Sequence, residues 1–120
     1  MTTDMYILHG HIPVRCERMQ QWGEWFETHF EDRVVAQTWI PWTEDNNILV
    51  STVFLGIDHN FCMTGEPILF ETMVFGGEHN GWCRRYSTWE EAEQGHAITV
   101  AAIREGEEPE PLRFARAQSR

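Results

Sequence analysis

The sequence predicts one compact α+β domain: an antiparallel β-meander of four to five strands with two helices packed on one face, in the order β-α-β-β-β-β-α. Three observations predict it. Two segments, near residues 16–30 and 89–103, repeat apolar residues at steps of three and four, the spacing of a helix face. Between them lie β-like runs joined by short polar or glycine-bearing turns, which connect antiparallel neighbours. The chain is 120 residues long and 42% apolar, enough for one hydrophobic core.

Each element follows in order. Met5–Leu8 reads as a short strand, broken by Gly10 and Pro13. CERMQQWGEWFETHF is helical, with Met19, Trp22, Phe26 and Phe30 on one stripe and Glu17, Gln20, Glu24 and Glu27 facing away. Gly23 weakens this helix by about 1 kcal/mol relative to alanine, so packing has to hold it. Arg33–Ile40 is a strand stopped by Pro41, and TEDNN is the turn after it. ILVSTVFLGI is the longest β segment; both of its faces are largely apolar, which predicts a central strand covered at least partly on each side. A ten-residue loop, Asp58–Pro67, leads to the strand Ile68–Phe75, closed by Gly76-Gly77. EHNG is read as a hairpin turn around Asn80-Gly81, the favoured type I′ pair, and WCRRYS returns as a strand. Thr88 opens the second helix. In TWEE the Thr88 hydroxyl can accept from the Glu91 amide while the Glu91 carboxylate reaches back, a capping box. Trp89, Ala92, His96, Val100 and Ile103 form the inward stripe, with His96 expected to bond a backbone carbonyl. The domain thus spans residues 1–104. Residues 105–120, acidic and Pro-bearing and then Arg-rich, lack a core-forming pattern and are expected to be a flexible tail.

Nineteen acidic residues against nine basic ones, all arginine, give a net charge of −10. Such a surface repels phosphate backbones and anionic lipid, so direct nucleic-acid and membrane binding are disfavoured. The same charge suits a basic protein partner, including one with a nucleic-acid channel, and it also keeps a chain with six tryptophans in solution. Cys16, Cys62 and Cys83 are odd in number and widely spaced, neither a disulfide framework nor a zinc knuckle. No basic-then-apolar leader and no membrane-length apolar run is present, which makes a reducing cytoplasm the default.

Chemistry-bearing residues are few. Asp58-His59 ends the central strand, where catalytic residues often sit beside a loop; the competing reading is an Asx turn made by Asp58. Glu71 interrupts an apolar strand face and needs a partner, with Arg84 or Arg85 in range across the turn. His59, Glu71 and His79 lie near strand ends and could converge on a metal ion, and His9 and His11 are two apart. No phosphate loop, nucleophile elbow or metalloprotease signature occurs, and no cofactor is implied.

Three segments, VSTVFLGIDHNF (50–61), PILFETMVFGG (67–77) and RYSTWEEAEQGH (85–96), together resemble a widespread family of small tailed-bacteriophage and prophage proteins that carries no assigned reaction. The helix segment MQQWGEWFE fits the same pattern; the loop NFCMTGEP departs from it, Cys62 and Met63 standing where a Gly/Pro-rich stretch is expected. The resemblance implies a phage protein acting in the cytoplasm of an infected bacterium. The first expectation is non-enzymatic binding of a host protein, as an inhibitor of a defence nuclease or CRISPR effector. Exposed Trp39, Trp42 and Trp82, at strand ends, would serve as anchors, and homodimerisation through a sheet edge or open face is compatible. One alternative is a metal-dependent hydrolase using Asp58, His59, Glu71 and His79; a second is a minor virion or assembly component.

Overall fold

The computed structural model describes residues 4–60 and 65–109; the loop residues 61–64, Cys62 among them, and residues 110–120 of the expected tail lie outside the described part. The architecture is α+β. A four-stranded antiparallel meander is built from β3 (Val34–Pro41), β4 (Asn47–Phe54), β5 (Phe70–Phe75) and β6 (Cys83–Tyr86), in that spatial order. A separate hairpin, β1 (Met5–His9) and β2 (Ile12–Cys16), precedes it. Helix α1 is Met19–Thr28 and helix α2 is Trp89–Arg104.

The strand β2 corrects the expected order. Gly10, at φ +63°, and His11 form a two-residue turn, so the glycine that was to end β1 folds it back instead. Pro13 sits opposite Leu8, one position beyond the closing pair His9 and Ile12. That is a non-hydrogen-bonded position, so its missing N–H costs the ladder nothing. The same turn separates His9 from His11, which do not share a strand face.

α2 lies across one face of the meander, and its sequence pattern sets the contact. The Thr88 hydroxyl accepts from the Glu91 amide, and the Glu91 carboxylate accepts from the Thr88 amide, closing the capping box. The buried stripe is Trp89, Ala92, Gly95, His96, Thr99 and Val100. Under it the core divides into two apolar lobes. One holds Leu8, Phe54, Leu69, Phe70, Tyr86, Trp89 and Ala92; the other holds Ile40, Ile48, Val50, Val74 and Val100.

Between the lobes runs a belt of buried polar groups. His96 Nδ1 lies 2.8 Å from Thr52 Oγ1 and its Nε2 lies 2.8 Å from Thr38 Oγ1. Thr52 and Thr72 hydroxyls are 2.5 Å apart, and Tyr86 OH donates to Thr72 Oγ1 at 3.0 Å. His96 therefore bonds hydroxyls rather than a backbone carbonyl. A neutral imidazole offers one donor and one acceptor. Either tautomer satisfies the ring: one nitrogen donates to its threonine hydroxyl and the other accepts from its own. Burial lowers the His96 pKa, favouring that neutral form.

α1 packs through Trp22 and Phe26, the middle of the expected stripe, and through Trp25 beside them, but not through the stripe's two ends. Met19 and Phe30 are exposed because Met19 is the helix's first residue and Phe30 lies beyond its end. The docking point is Gly56, at φ +79°, where an added Cβ would overlap the Phe26 ring. The Gly56 carbonyl accepts from Trp22 Nε1 and from the Tyr6 amide, joining α1 and β1 to the end of β4. Trp25 and Phe26 both reach Phe54, placing α1 on the α2 side of the sheet. The β5–β6 connection is also longer than a two-residue turn. Val74 donates to the Trp82 carbonyl and accepts from the Gly81 amide, and the Asn80 side chain accepts from the Gly76 amide inside the loop.

Candidate functional site

The face of the meander turned away from both helices is built in cross-strand rows. Trp39, Leu49 and Phe75 face one another across β3, β4 and β5. The next row is Gln37, Ser51, Met73 and Cys83, with Gln37 donating to Ser51 at 3.2 Å. The third is Val34, Val53, Glu71 and Arg85. Trp39 is 62% exposed and Phe75 46%. The face carries one carboxylate and one guanidinium, and they neutralise each other: Arg85 Nε donates to Glu71 Oε2 at 2.9 Å. Register selects Arg85 over Arg84, which points to the other side and lies over the Tyr86 ring. Burial, then the Glu71 carboxylate, pushes the Cys83 thiol up, which keeps it protonated and a poor nucleophile.

The other candidate residues have local structural partners. Asp58 Oδ1 accepts from the Asn60 amide at 2.8 Å, as an Asx turn does, and from the Ile68 amide at 2.9 Å. One carboxylate thus ties both ends of the loop after β4. His59 is half-buried, and its Nδ1 donates to the Ile57 carbonyl at 2.7 Å. Glu71, opposite Val53, belongs to the same end of the sheet. His79 does not: it follows Phe75 in the turn at the far end of β5, about 20 Å away along a six-residue strand. Among the described residues no three of His, Cys, Asp and Glu gather closely enough to hold a metal ion.

The three tryptophans chosen from sequence separate. Trp39 stands on the open face; Trp42, 50% exposed, sits on the adjoining rim with Ile48, His79 and Ile103 around it. Trp82 is half-buried against the lobe that holds Val100. Phe75 is the exposed aromatic that sequence reasoning passed over, because it ends a strand whose alternation gives no sign of which face is covered.

A cleft of about 530 Å³ opens elsewhere, between the β1–β2 turn, the end of α1 and the start of α2. His11, Trp25, His29, Glu31, Asp32 and Trp89 line it. They come from four separate segments, so no sequence motif announces it. No helix of the described residues is long and apolar enough to cross a membrane. No family model, curated protein or solved structure matches the chain.

Proposed function

We propose that this protein acts by binding another protein, using the open sheet face as its contact surface. The observation that carries this reading is the row Trp39–Leu49–Phe75: aromatic, largely uncharged and exposed, on a chain whose net charge is −10. Interface cores have that composition, with aromatics and Met enriched and unpaired charge depleted, while surrounding carboxylates steer a basic partner. The finer reading rests on the resemblance to phage proteins. On it, the partner is a host protein with a basic nucleic-acid channel, a defence nuclease or CRISPR effector, met in the cytoplasm of an infected bacterium.

The test is paired capture from host lysate. Wild type and Ile98→Asp, an exposed α2 position on the opposite side, are expected to retain the same partner. Trp39→Asp combined with Phe75→Asp is expected to lose it while keeping the wild-type circular dichroism spectrum. Equal recovery by the folded double variant would sink the reading.

A further inference from the structure

We propose that residues 110–120 of this chain dock in a groove on the outer side of α2, with Leu112 and Phe114 on its apolar floor and Arg113 and Arg116 beside its glutamates. The groove holds about 650 Å³, and its floor is Ile98, Ala101 and Ala102, at steps of three and four along one side of the helix. That side lies away from the buried stripe, and Ile98 is 54% exposed on it.

The course of the chain after α2 leads into this groove. The amide of Gly106, at φ +76°, donates to the Ile103 carbonyl at 3.0 Å, and the Glu107 amide donates to the Ala102 carbonyl at 2.8 Å. These are the two bonds of a Schellman motif. The left-handed glycine turns the chain back, so that Glu107, Glu108 and Pro109 line the groove beside the last two turns of the helix. Pro109, where the described chain stops, is fully buried. Residue 110 therefore starts at the groove and not in open solvent.

Reach and charge name the occupant. Extended chain advances about 3.3 Å per residue, so Leu112 and Phe114 reach about 10 and 16 Å from Pro109. The groove from Glu105 back to Ile98 is about 10 Å long, at 1.5 Å per helical residue. Two residues apart, Leu112 and Phe114 face the same way on an extended segment. Residues 110–120 also hold three of the nine arginines and one of the nineteen acidic residues. They form a basic segment on an acidic chain, tethered beside the exposed carboxylates of Glu105, Glu107 and Glu108. The tether supplies an effective concentration that a separate polypeptide lacks. A second copy would bring a net charge of −10 against a surface of the same sign.

The inference does not depend on the open sheet face, since its test uses the purified 120-residue chain alone. In ¹³C,¹⁵N-labelled protein, nuclear Overhauser contacts are expected between the Phe114 ring and the Ile98 methyls. The amides of residues 112–114 should show heteronuclear Overhauser values close to those of α2. Leu112→Ser combined with Phe114→Ser should remove the contacts and shift the Ile98 and Ala101 methyl signals, with the circular dichroism spectrum unchanged. Arg113→Gln combined with Arg116→Gln should move the same signals part of the way, because exposed ion pairs each contribute little. Mixing labelled with unlabelled chains separates contacts within a chain from contacts between chains. Residues 112–114 that tumble freely, leaving the groove to some other polypeptide, would overturn the proposal. So would methyl signals unmoved in either double variant, or contacts found only between chains.

Discussion

Gly23 and Gly95 sit inside the two helices, and replacing each with alanine is expected to change stability in opposite directions. On propensity alone both changes stabilise, since glycine costs a helix interior about 1 kcal/mol relative to alanine. Nothing lies within 4 Å of a Cβ built on Gly23, so Gly23→Ala is expected to realise most of that gain, about 0.5–1 kcal/mol. At Gly95 the new methyl would overlap the ring and hydroxyl of Tyr86. That ring is 5% exposed, and its hydroxyl is bonded to Thr72 inside the polar belt. Displacing it loses a hydrogen bond, about 1 kcal/mol, and overpacks the core by about 1–3 kcal/mol. Set against the propensity gain of about 1 kcal/mol, Gly95→Ala should destabilise by about 1–3 kcal/mol.

Urea unfolding followed by circular dichroism measures both variants, and a double-mutant cycle isolates the cause. In a Tyr86→Leu background the obstruction is gone, and Gly95→Ala should become neutral or stabilising. A Gly95→Ala protein as stable as wild type, or one equally destabilised with and without Tyr86, would refute the close packing of α2 on β6.

Two further outcomes follow from single side chains. The folded pKa of His96 is lowered by burial from its ordinary value of 6.5, so unfolding takes up a proton in the window below that value. Stability from this group is therefore complete above about pH 6.5 and declines as the pH falls toward the lowered folded value. His96→Gln should flatten that decline relative to wild type in urea midpoints measured between pH 7.5 and 5, and an unchanged slope would count against a neutral His96 in the belt. Asp58→Ala removes the acceptor for two amides and should cost about 1–3 kcal/mol, with faster hydrogen exchange at Asn60 and Ile68. Unaltered exchange at both amides would show that Asp58 does not hold the loop.

Much of the fold was legible because its signals are local. The Thr88–Glu91 capping box and the α2 stripe lie within single stretches of chain, and their chemistry needs no tertiary context. β2 was hidden because Gly10 and Pro13 each carry two meanings, break or turn, and only the register at His9 and Ile12 decides. The α1 stripe was misread at its ends, where periodicity continues past the turn that packs. The polar belt left only an isolated threonine on each strand, since Thr38, Thr52, Thr72 and His96 meet only once four elements are aligned. The cleft was illegible for the same reason.

β4 shows how a mismatch between pattern and coverage points to function. Its inward residues Val50, Thr52 and Phe54 are buried under α2 and α1, as its pattern requires. Its outward residues Leu49 and Val53 are apolar too, yet no helix lies over them; both stay half-buried beside Trp39 and Phe75. A half-covered antiparallel sheet ordinarily alternates apolar-in and polar-out. The outward positions of β3–β6 depart from this with Trp39, Leu49, Val53, Met73 and Phe75, and the charged pair among them is self-neutralised. Folding stability does not require apolar side chains where no core forms, and exposing them carries a risk of aggregation. Occupancy by a partner gives that composition a physical reason, which substituting Trp39 and Phe75 puts to the test without disturbing the core beneath.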